Sequence, residues 1–158
     1  MNNGIKNVLA GLGACIILLL QVAGGAANIR VLLFPTAVLY LATYMTVPFA
    51  SILGILMGSV WDSVSLMPFG IHALGLGACM GFASFYMRSV DERKASARGY
   101  VASLLWGLYM IILGTVYILE GNAIQIFTLL GLDWVTGFLV LMLFTFGHMF
   151  LQKSFIRT

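Results

Sequence analysis

The chain has 158 residues, of which 61% are apolar and 8% charged, and its mean hydropathy is +1.05. A soluble domain is roughly 45–50% apolar and about 25% charged, and one of about 150 residues still exposes about a third of its unfolded surface; this composition therefore excludes a soluble enzyme, a nucleic-acid binder and a disordered segment. The net charge of +3 rests on eight Lys and Arg residues; most flank apolar runs, where they set orientation in a bilayer.

A bilayer span needs about 20 predominantly apolar residues. Six such stretches follow one another: 8–25, 31–47, 49–66, 69–87, 100–119 and 134–152. The fold class expected is therefore an all-α integral membrane protein with six transmembrane helices in one polytopic domain. The opening run, with its small residues Ala23, Gly24, Gly25, Ala26 and Ala27, imitates a cleavable secretory signal. Because the remainder of the chain is itself membrane-spanning, this run is expected to stay as the first span. Spans two and three share one apolar stretch, broken only around Thr46, Val47 and Pro48. A proline removes a helix donor and clashes with the preceding turn, so a tight hairpin is expected there.

Charge parity supports an even count. Lys6 starts the chain, Arg88, Arg93, Lys94 and Arg98 bracket one loop, and Lys153 and Arg157 form the tail. Between Lys6 and Arg88 there is room for four spans, and between Arg98 and Lys153 for two. All but Arg30 of the basic residues then lie on one side, which the positive-inside rule assigns to the cytoplasm together with both termini. Asp62, Glu120 and Asp133 fall toward the outer side, and residues 120–133 make the longest outer loop. Trp106 and Trp134 are expected at the interfaces. Cys15 and Cys79 lie inside apolar runs and read as small packing residues.

The third span concentrates the informative residues. Gly54, Gly58 and Asp62 are spaced by four and share one helical face. A small-xxx-small pattern lets another helix approach closely. The fourth span repeats the theme with Gly70, Ala73, Gly77, Gly81 and Ser84, so these two faces are expected to meet. A carboxylate at a helix centre costs about 2.5–3.5 kcal/mol on insertion, so Asp62 should face protein or water. It either packs and caps near the outer surface or contacts a partner or ligand. His72 begins the fourth span and Arg30 lies at the outer boundary; Arg30, Asp62 and His72 are a candidate outer polar cluster, set against the plainer reading of a histidine at headgroup level. His148 reads as an interfacial histidine near the inner end of span six, and Gln21 as a hydrogen-bonding group between helices.

Catalytic signatures are missing from the sequence. It has no Gly-x-Ser-x-Gly elbow, His-Glu-x-x-His, Cys-x-x-Cys or phosphate loop. Two histidines and two cysteines at different depths do not make a metal site. No enzyme activity, cofactor or metal is expected.

The stretch from Gly58 through Asp62 to Gly70 resembles the central signature of the bacterial rod shape-determining protein MreD family, with Gly58, Asp62 and Gly70 at the family's positions. Leu18-Leu19-Leu20-Gln21 and Phe34-Pro35 are also similar to it. The chain departs from that pattern between spans two and three, where no basic residue occurs. The resemblance implies a non-enzymatic scaffold in the bacterial cytoplasmic membrane, part of the cell-elongation machinery that organises peptidoglycan synthesis and cell shape. It implies an MreC-like single-span partner and, through it, MreB, RodA and a penicillin-binding transpeptidase. The family's fold is similar to the substrate-binding subunits of energy-coupling-factor vitamin transporters, which gives the alternative expectation: a solute-binding transport subunit.

Overall fold

The computed structural model describes residues 3–26, 33–65, 70–90, 95–119, 121, 131 and 133–156. Every element among them is a helix: α1 (Asn3–Ala26), α2 (Leu33–Ala42), α3 (Val47–Ser65), α4 (Ile71–Ser89), α5 (Ala95–Leu119) and α6 (Trp134–Ile156). Among the described residues three helical stretches are long and apolar enough to cross a membrane, Asn3–Ala23, Val47–Val64 and Ser96–Leu119; Trp134–Phe150 is apolar but shorter. Much of the outer surface is aliphatic or aromatic, including Leu12, Ile16 and Leu19 on α1, Ile111 and Ile118 on α5, and Leu143, Phe146 and Phe150 on α6. Such broad apolar exposure is foreign to a water-soluble monomer and suited to lipid.

The second helix differs from expectation. The sequence suggests a span over 31–47, yet α2 stops at Ala42 after ten residues, a length of about 15 Å against a hydrocarbon core of about 30 Å. The chain turns earlier than Pro48. Thr43, Tyr44 and Met45 donate to the carbonyls three residues back, at 3.2, 3.0 and 3.1 Å, which tightens and closes the helix. Pro48 then occupies the first turn of α3, where its missing N–H removes no helical bond. Short as it is, α2 is the centre of the fold. Phe34, Val38, Leu39 and Ala42 are sealed from solvent, and the helix touches α1, α4, α5 and α6.

α3 and α4 form an antiparallel hairpin and the most extensive helix pair of the molecule. Gly54 faces Leu76, Gly77 and Met80; Gly58 faces His72 and Ala73; Gly77 faces Ile55, and Gly81 faces Ser51. A Cβ on Gly54 would lie 2.8 Å from the Leu76 carbonyl oxygen, so the helices are closer than any larger residue allows. α5 and α6 use a second antiparallel seam, Gly99 against Thr145 and Gly137 against Trp106.

Helix ends gather at two poles. At one, Asn7 of α1 bonds Thr46 before α3, Ser84 of α4 bonds the Met45 carbonyl, and Arg98 of α5 reaches Thr43. At the other, the Phe34 N–H at the start of α2 donates to Gln21 Oε1 near the end of α1, at 3.3 Å. The end of α3 meets the start of α4 there as well.

Candidate functional site

The α3–α4 corner is built around Asp62. Its carboxylate is 2% exposed and lies at the last turn of α3. Oδ2 accepts the N–H groups of Gly70, at 2.9 Å, and Ala73, at 3.2 Å; Oδ1 accepts that of His72, at 2.9 Å. The first N–H groups of any helix lack partners within it, and the helix start carries partial positive charge. Asp62 satisfies both for α4, from the helix before it. Gly70 immediately precedes α4 with φ of 104°, a left-handed conformation that costs glycine little and L side chains much. Gly58, one turn back from Asp62, admits the start of α4 closely enough for these bonds to form. The three residues are one mechanical unit.

Of the candidate outer cluster, Asp62 and His72 are therefore joined, but through the His72 backbone. The His72 imidazole is 5% exposed and bonds to α5. Its Nδ1 shares a hydrogen bond with the Tyr109 hydroxyl of α5, and its ring lies edge-on to Trp61, 6.5 Å between centroids. Arg30 lies outside the described residues. Tyr109 escaped the sequence reading because it is 37 positions from His72 inside an unbroken apolar run. Removing its hydroxyl leaves a buried ring nitrogen without that partner, so Tyr109→Phe is expected to cost about 1–2 kcal/mol, measured by thermal unfolding of the purified chain in detergent.

One aromatic expectation is corrected. Trp106 is no interface anchor: it is fully buried, packed on Gly137 and 5.8 Å from the Tyr109 ring. Trp134 is exposed. His148, read as interfacial, is half-buried near the end of α6 and has two tyrosine partners. Its Nδ1 lies 2.9 Å from the Tyr40 hydroxyl and 3.0 Å from that of Tyr44, which ties α6 to α2. Cys79 packs in the core, whereas Cys15 is exposed on α1.

The second polar centre, at the opposite pole, was unforeseen. Arg98 is 6% exposed. Its Nη1 donates to the Thr43 carbonyl at 2.6 Å and to the Thr43 hydroxyl at 3.3 Å, and its guanidinium lies 4.0 Å from the centre of the Tyr44 ring. A cation at the carbonyl end of α2 is favourably placed against the helix dipole, and guanidinium over an aromatic face adds a cation–π attraction. The sequence marked Arg98 only as one of several loop charges. Among the described residues, no group of three or more His, Cys, Asp and Glu is placed to hold a metal.

Both centres join helices through hydrogen bonds between different elements. No protein-family model, curated protein or solved structure matches the chain.

Proposed function

We propose that this chain is a six-span scaffold of the bacterial cytoplasmic membrane, MreD-like, that holds a single-span MreC-like partner and through it helps organise the peptidoglycan-synthesising elongation machinery. The observation that carries this reading is the interdependence of Gly58, Asp62 and Gly70. These residues carry the family resemblance, and each has a physical role that needs the other two: close approach, capping, and left-handed backbone. The pole bearing Lys6, Arg88 and Arg98 is the cytoplasmic one by the positive-inside rule, which puts both termini on that side.

The α3–α4 glycine seam is occupied within the chain, so a partner helix packs elsewhere, on the exposed apolar faces. Purification of the chain from its native membrane in mild detergent is expected to bring down a single-span protein with an extracytoplasmic coiled coil. Recovery of no such protein, together with thermal stabilisation of the pure chain by a vitamin-sized solute, overturns the scaffold in favour of a solute-binding subunit, because a ligand of the native state raises apparent stability.

A further inference from the structure

At the pole where α1 and α5 begin, a cavity of about 220 Å³ opens between α1, the turn of residues 43–46 after α2, α4 and α5. Lys6, Arg88 and Arg98 all line it, together with Asn7, Thr43 and Ser84, and no carboxylate lines it among the described residues. The neutral wall is tied down. The Asn7 amide bridges the backbone N–H and hydroxyl of Thr46, each at 2.9 Å, and the Ser84 hydroxyl donates to the Met45 carbonyl at 2.7 Å. These bonds fix the shape of the cavity before anything enters it. Three helices start at this pole and three end at it, so their opposed partial charges largely offset each other. Lys6, Arg88 and Arg98 bring three formal positive charges to one small concavity. Lys6 is half-buried and Arg88 exposed, so both can move onto a ligand, while Arg98 is held at the back by Thr43 and Tyr44.

We propose that this cavity binds a phosphate-bearing anion, gripped by Lys6 and Arg88 with Arg98 behind them. In a bilayer the phosphate belongs to the headgroup of an anionic phospholipid. Arginine and lysine are the side chains suited to phosphate, and basic pockets between membrane helices on the cytoplasmic side take such headgroups. The site is independent of the scaffold reading, since it needs neither the partner nor the glycine seam.

The test uses the full chain purified in a neutral detergent, with thermal unfolding followed by tryptophan fluorescence and retained lipid counted by native mass spectrometry. Phosphatidylglycerol is expected to raise the unfolding midpoint and to stay bound, and phosphatidylcholine to do neither. Lys6→Gln and Arg88→Gln should each weaken the phosphatidylglycerol effect about fivefold, and Arg88→Lys should retain most of it. Sodium phosphate, compared with sodium chloride at equal ionic strength, separates the sources. Stabilisation by phosphate that competes with the lipid identifies the phosphate group alone as sufficient. Stabilisation by the lipid only identifies the headgroup in its membrane setting. The proposal is overturned if phosphatidylglycerol and phosphatidylcholine act alike and phosphate acts like chloride. A phosphatidylglycerol effect that is undiminished in both glutamine variants overturns it as well. The two substituted side chains stand at the cavity rim, and the unliganded midpoint of each variant reports its fold directly.

Discussion

Gly58→Ala is expected to destabilise the chain by about 3 kcal/mol. The added methyl would overlap the His72 carbonyl oxygen and the Ala73 backbone. These are main-chain atoms of a neighbouring helix, which cannot rotate aside as a side-chain tip can. α3 and α4 must separate, and separation pulls the first turn of α4 away from Asp62. The controls are Gly107→Ala and Gly114→Ala, at positions with nothing within 4 Å of the new atom. Alanine is favoured over glycine in a helix by up to about 1 kcal/mol, so these two should be neutral or slightly stabilising. Denaturant titration of the three purified variants in detergent reads the difference. Equal stability of Gly58→Ala and the two controls would remove the close-approach account of the seam.

Asp62→Ala is expected to cost about 3 kcal/mol or more, because it strips the partner from the N–H groups of Gly70, His72 and Ala73 together, and each buried donor left unsatisfied costs about 1–3 kcal/mol. Asp62→Asn separates shape from charge. An amide oxygen in the place of Oδ2 keeps the bonds from Gly70 and Ala73, while the amide nitrogen cannot accept from His72. Its expected loss is about 1–2 kcal/mol, between alanine and the native residue. An Asn variant as unstable as the Ala variant would mean that the negative charge, not the hydrogen-bond count, holds the corner. Both this pair and Gly58→Ala act on the fold, so a partner lost in these variants does not map a binding surface. Partner contacts are better sought with substitutions at exposed positions such as Leu19, Ile111 or Phe146.

The α3–α4 hairpin was legible because its signal is periodic. Glycines four apart lie on one face wherever the helix is placed, and two such faces in neighbouring spans meet with little choice. The Asp62 corner was half legible. A carboxylate at a span end has to be satisfied, but the sequence left open whether by backbone, partner or ligand, and the choice of backbone rests on Gly70 turning left-handed at 104°. The early end of α2 was hidden because nothing in Thr43-Tyr44-Met45 breaks a helix; the turn is closed by backbone bonds and by Arg98 from α5.

From sequence alone come the helical class, the surplus of apolar surface that demands lipid, and the small-residue seam. All three are local or compositional properties, fixed by side-chain type and by a repeat of about 3.6 residues. Tertiary structure decided what the polar groups do. His72 answers to Tyr109, 37 positions on, and Tyr40 to His148, 108 positions on, while Lys6, Arg88 and Arg98 converge on one cavity from three helices. In an apolar interior each such group must find its complement or carry a heavy desolvation cost, and only the packed bundle determines which complement comes within reach.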